Sequence, residues 1–132
     1  MKKLMIVVLV ACVFLVTQLV LAKGIEMTPV QKMAQVTLSM NHHPASADKQ
    51  VLKTFSEDKS MGMEIHTIAH AMMNMKHTVS AYDKAKLDEI ASSRDASWAM
   101  KALAKTLINF KHKATGPQKI ALNKIMKPAV EH

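Results

Sequence analysis

The chain has 132 residues, a formal net charge of +8, twelve methionines, three glycines and one cysteine. So few glycines leave no phosphate-cradling loop, no Gly-x-Ser-x-Gly elbow is present, and a single cysteine excludes an internal disulfide. Lysine carries nearly all the positive charge, with Arg94 the only arginine and only five Phe, Tyr and Trp residues in all, which argues against base reading and base stacking.

From the N-terminus, Met1-Lys2-Lys3 leads into an apolar run from Leu4 to Val16 and on to Ala22. A basic start, an apolar stretch and a Val20-Leu21-Ala22 ending fit a secretory signal spanning 1–22 and cut after Ala22. An uncleaved membrane anchor over Leu4–Ala22, or lipidation at Cys12 after Leu9-Val10-Ala11, are the alternatives. Cleavage at Ala22 removes the only cysteine and leaves residues 23–132 as one all-helical domain without thiol ligands or nucleophiles. Without Lys2 and Lys3 the 18 basic residues become 16, against 10 acidic ones, a net of +6. That balance favours anionic partners such as an envelope component, with peripheral contact to anionic membranes as one form of it.

Past Ala22 no segment alternates like a strand. Six helices are expected: about 28–42, 47–57, 60–78, 81–92, 95–111 and 117–127. Thr28-Pro-Val-Gln31, Ser80-Ala-Tyr-Asp83 and Thr115-Gly-Pro-Gln118 each set a hydroxyl three residues before an acid or amide, the pattern of a helix-capping box. Ser46 with Asp48 is a less complete version. The helices pair into three hairpins, each with a longer first helix and a shorter second one, over repeats 28–57, 60–92 and 95–127. Aligning His43, His77 and His112 gives periods of 34 and 35, the size of two-helix units that bury their apolar faces only against one another. The fold class is therefore all-α: three tandem helical hairpins stacked as a small solenoid or bundle. Val51, Leu52 and Phe55, then Leu87 and Ile90, then Ile120, Leu122 and Ile125 form the expected seam.

The repeated histidines His43, His77 and His112 sit at the ends of the first helices, where a donor or cation can meet unpaired carbonyls of the last turn. His66 and His70 do not repeat. On a helical wheel Ile65, Ile68, Met72 and Met75 gather on one face, and Met63, His66, His70, Met73 and His77 on the other. The third unit has Lys101 and Lys105 where the second has His66 and His70, and lysine is almost never fully buried, so the His/Met stripe faces solvent or a groove. His66 and His70, with Met63, Met73 and His77, are the candidate metal ligands; imidazole with thioether suits copper, and imidazole alone also suits zinc or nickel. Most of the methionines are expected to fill the core.

Thr28-Pro-Val-Gln31 and Thr115-Gly-Pro-Gln118 resemble the Thr-x-x-Gln element of the LTxxQ family of periplasmic helical stress proteins, with Met27 and Ala114 where that element has leucine. The family includes chaperones and metal-resistance factors, and the resemblance implies an exported, all-helical protein. Taken together, the residues lead to a non-enzymatic periplasmic or secreted protein that binds another macromolecule through its repeat surface and does not bind nucleic acid. The alternative is a periplasmic metal-binding or metal-stress protein using the His/Met face.

Overall fold

A computed structural model describes residues 26–127; the expected signal segment lies outside the described residues. Among the described residues there are six α-helices and no strands: α1 (Pro29–Ser39), α2 (Ser46–Glu57), α3 (Met63–Asn74), α4 (Ala81–Ser92), α5 (Trp98–Ile108) and α6 (Gly116–Met126). The capping pattern operates where it was read. Thr28 and Thr115 form full capping boxes with Gln31 and Gln118, and the Ser80 hydroxyl accepts from the Asp83 amide.

The units recur more regularly than the histidine alignment suggests. Met33, Ile68 and Leu103, then Ala34, Ala69 and Ala104, then Leu52, Leu87 and Leu122 are all fully buried, and each set repeats at a separation of 35, the same as that of His42 and His77. The register therefore places His42, not His43, with His77 and His112. The slip came from two adjacent histidines in a loop, where nothing in the local sequence distinguishes them. It also misplaced a cap: Ala45, not Ser46, precedes α2 at the position of Ser80 and Thr115, and it makes no side-chain cap.

The first helices are also shorter than expected, at 11, 12 and 11 residues against 12, 12 and 11 for the second ones. Apolar periodicity continues through Met40, Met75 and Phe110, which are buried, but the backbone has already left the helix at the first two (ψ 132° and 131°) and at Asn109, just before the third. These side chains anchor the turns that follow, so a buried apolar residue at helical spacing marks a loop plug here.

Packing closes the three units into a ring. The tightest contacts run between successive units, α2 on α3 and α4 on α5, and α6 returns to pack on α1. The first helices α1, α3 and α5 also touch one another, so they form the inner layer of a bundle with pseudo-threefold symmetry. Ring closure covers the end faces that an open solenoid leaves to capping repeats. No helix among the described residues is long and apolar enough to cross a membrane.

Candidate metal centre

Each first helix ends in a tight turn: Met40-Asn41-His42-His43, Met75-Lys76-His77-Thr78 and Phe110-Lys111-His112-Lys113. Asn41 pairs with His43, Lys76 with Thr78 and Lys111 with Lys113 across the turn, with the middle histidine at the apex. The apex residues have φ of 67°, 67° and 63°, and they are the positive-φ non-glycine residues among those described. An L-residue held there costs about 1–2 kcal/mol, which glycine avoids. All three units nevertheless carry histidine.

The turns meet around the pseudo-threefold axis. The His42 amide donates to the His112 carbonyl, the His77 amide to the His42 carbonyl (2.9 Å), and the His112 amide to the His77 carbonyl (3.2 Å), a closed backbone ring linking all three units. Above it the imidazoles stand edge to face, with centroids 4.8, 4.9 and 5.1 Å apart. Their Nδ1 atoms converge: His42 to His77 2.8 Å, His42 to His112 2.9 Å, and His77 to His112 3.3 Å. These three residues are the group of metal-capable side chains that the described residues bring together, and the cluster lies at the surface.

Hydrogen bonding alone does not satisfy this triangle. A neutral imidazole presents either an N–H or a lone pair at Nδ1. Of three such atoms at least two are alike, so one edge is always donor against donor or lone pair against lone pair. A cation shared by three lone pairs removes that conflict. Nitrogens bound about 2.0–2.1 Å from a zinc ion, at angles of roughly 90–110°, lie about 2.8–3.4 Å from one another. The observed edges of 2.8–3.3 Å fit that facial arrangement closely. Burial, and after it the charges of His77 and His112, hold the His42 imidazole below its ordinary value, toward the neutral form that ligates metal.

Of the metal ligands expected from the sequence, only His77 is in this centre, where it meets His112, expected as a helix-end residue, and His42. His66 and His70 line a different feature, an open groove of about 580 Å³ between α3 and α4, with Met63, Tyr82 and Asp83. Their rings have other partners. His66 Nε2 meets the Asp58 carbonyl at 2.5 Å, and His70 Nδ1 lies 3.3 Å from Oδ1 of the buried Asp83, a carboxylate also held by the Ser80 hydroxyl at 2.9 Å. Met63 is exposed, and Met73 packs against the core. His43 turns away from the trio, its Nδ1 3.0 Å from the Pro44 carbonyl.

The sequence does not single out His42 and His112 as ligands: they lie 70 residues apart, His43 takes the place of His42 in the histidine alignment, and the recurring histidines fit a helix-end role. The available signal was the 35-residue period of the buried leucines, which puts one histidine per unit at an identical place. The chain matches no protein-family model, and neither a curated protein nor a solved structure is significantly similar to it.

Proposed function

We propose that this protein binds a divalent transition-metal ion through the Nδ1 atoms of His42, His77 and His112, one ligand from each repeat. The observation that carries the reading is the Nδ1 triangle, with edges of 2.8, 2.9 and 3.3 Å. All-imidazole ligation suits zinc, copper or nickel. Metal on Nδ1 leaves the proton of each neutral ring on Nε2. The role proposed is binding and not catalysis, since among the described residues no carboxylate joins the ligand cluster to serve as a general base. Export through the 1–22 segment remains part of the proposal and places the metal site in the periplasm or outside the cell.

Calorimetric titration of purified 23–132 with zinc, copper and nickel tests this. One ion per chain is expected, with binding abolished in His42→Ala, His77→Ala and His112→Ala and retained in a His66→Ala/His70→Ala double variant. Retention in the first three variants, or loss in the double variant, sinks the assignment.

A macromolecular partner is the second reading, supported by Met63 and Tyr82 at the groove between α3 and α4, which are 75% and 70% exposed. It predicts a partner whose capture depends on Met63 and Tyr82 and is indifferent to metal.

A further inference from the structure

Three ligands on one face of a metal ion leave the opposite face to be filled, and the surroundings of the histidines specify the filler. Three neutral imidazoles cancel none of the ion's charge. No carboxylate or thiol belongs to the ligand cluster among the described residues, and His43, the nearest further imidazole in sequence, is turned onto the Pro44 carbonyl. The described residues thus add no anionic fourth ligand to the cluster. What flanks the apex histidines is cationic: Lys76 beside His77, and Lys111 and Lys113 on either side of His112. All three lysines are exposed, and among the described residues no ion pair engages any of them. The third turn adds Asn41, an uncharged donor.

A divalent ion at this pole therefore has exposed lysines in two of the three turns that carry its ligands and, among the described residues, no carboxylate in the ligand cluster to balance it. Such a concentration of one sign draws a counter-ion out of solution. The metal supplies an inner-sphere bond to one oxygen, and lysine, a flexible point charge, is suited to the remaining oxygens of a tetrahedral oxyanion.

Resting on the metal reading above, we infer that the loaded centre is a receptor for a phosphate-type oxyanion, one oxygen on the metal and the others facing Lys76, Lys111 and Lys113. The same chemistry is offered by free inorganic phosphate and by a phosphomonoester headgroup on a lipid surface.

Cobalt(II) in place of the native ion makes the site visible. The expected result is an intense visible band on cobalt binding that shifts, with isosbestic points, on titration with inorganic phosphate. A Lys76→Gln/Lys111→Gln/Lys113→Gln variant should keep the cobalt band and bind phosphate about tenfold more weakly. Vesicles of phosphatidylcholine with and without phosphatidic acid separate the sources. A shift with free phosphate assigns the soluble ligand, and a shift only with phosphatidic acid assigns the headgroup. If the wild-type band forms but neither probe moves it, or phosphate merely strips the cobalt, the oxyanion inference falls and the metal site stands. An equal response in the lysine variant overturns the lysine role. Failure of cobalt, zinc, copper and nickel alike to bind removes both.

Discussion

At His42, His77 and His112 local backbone preference and side-chain chemistry pull in opposite directions. A left-handed apex suits glycine, and histidine there gives up about 1–2 kcal/mol per turn. A position kept for its backbone alone would be improved by glycine; one kept for its ring would not. His77→Gly should therefore leave the metal-free protein within about 1 kcal/mol of the parent, the relieved strain offsetting the added chain entropy. The stabilisation by zinc should vanish in the same variant. Denaturant titrations with and without zinc measure both, and a loss above about 3 kcal/mol without metal would assign the ring a structural duty instead. Acidification supplies a second check. His42 is depressed from 6.5 by burial first and by its two imidazole neighbours next, so below pH 6.5 the unfolded chain takes up a proton that the folded one resists. That contribution to stability is intact above 6.5 and is lost as pH falls toward the lowered value. Protons compete with metal in the same direction. Metal affinity, measured by competition titration, should drop steadily from about pH 7 to pH 5; a flat profile would rule out imidazole ligation.

Helix ends decide where the loops fall, and the three second helices form an internal comparison. α4 and α6 are capped by Ser80 and Thr115, whose hydroxyls accept from the backbone amide three residues on, whereas α2 follows Ala45, which has no side-chain acceptor for its first turn. Asp48 already occupies the place that Asp83 holds in α4. Ala45→Ser should complete the motif and raise stability by about 1 kcal/mol. A shift in the urea midpoint at constant slope reads that gain, and no shift would mean that α2 has another way of satisfying its first turn. The period of the helices was legible because Leu52, Leu87 and Leu122 face the core in every unit. The ends of the first helices were not, because no glycine announces the left-handed turn and Met40, Met75 and Phe110 prolong the apolar pattern past it.

Closure makes the order of the units along the chain unimportant to the packing. α6 lies on α1 as α2 lies on α3, and Gln31 Nε2 reaches the Met126 carbonyl at 3.5 Å, so the ends of the ring are neighbours. Five residues, 58–62 and 93–97, join the units at the other two junctions. A circular permutant that begins at Met63, ends at Glu57 and carries a linker of about five residues between Met126 and Pro29 should fold cooperatively and bind metal as tightly as the parent. Circular dichroism and calorimetry check this; an unfolded or metal-blind permutant would mean that the α6–α1 contact is not equivalent to the other two. Metal should also act on the entire ring, since its ligands come from all three units. An ion at a hundred times its dissociation constant adds about 2.7 kcal/mol to a folded state that alone binds it.

Periodicity, caps and composition were enough to establish an all-helical chain of three like units, because helix formation and amphipathic burial depend on residues a few positions apart. The stripe of Met63, His66, His70, Met73 and His77 is only partly an outward face: Met63 and His70 are exposed, His66 is half-buried against the Asp58 carbonyl, Met73 packs against the core, and His77 lies beyond the helix in the turn. Which histidines meet was decided by ring closure alone. His42, His77 and His112 share no helix face and no local motif, and their nitrogens converge only because three buried cores pack about one axis and bring three loops to the same pole. Convergence of that kind is set by distances through space, which sequence spacing within one unit does not encode.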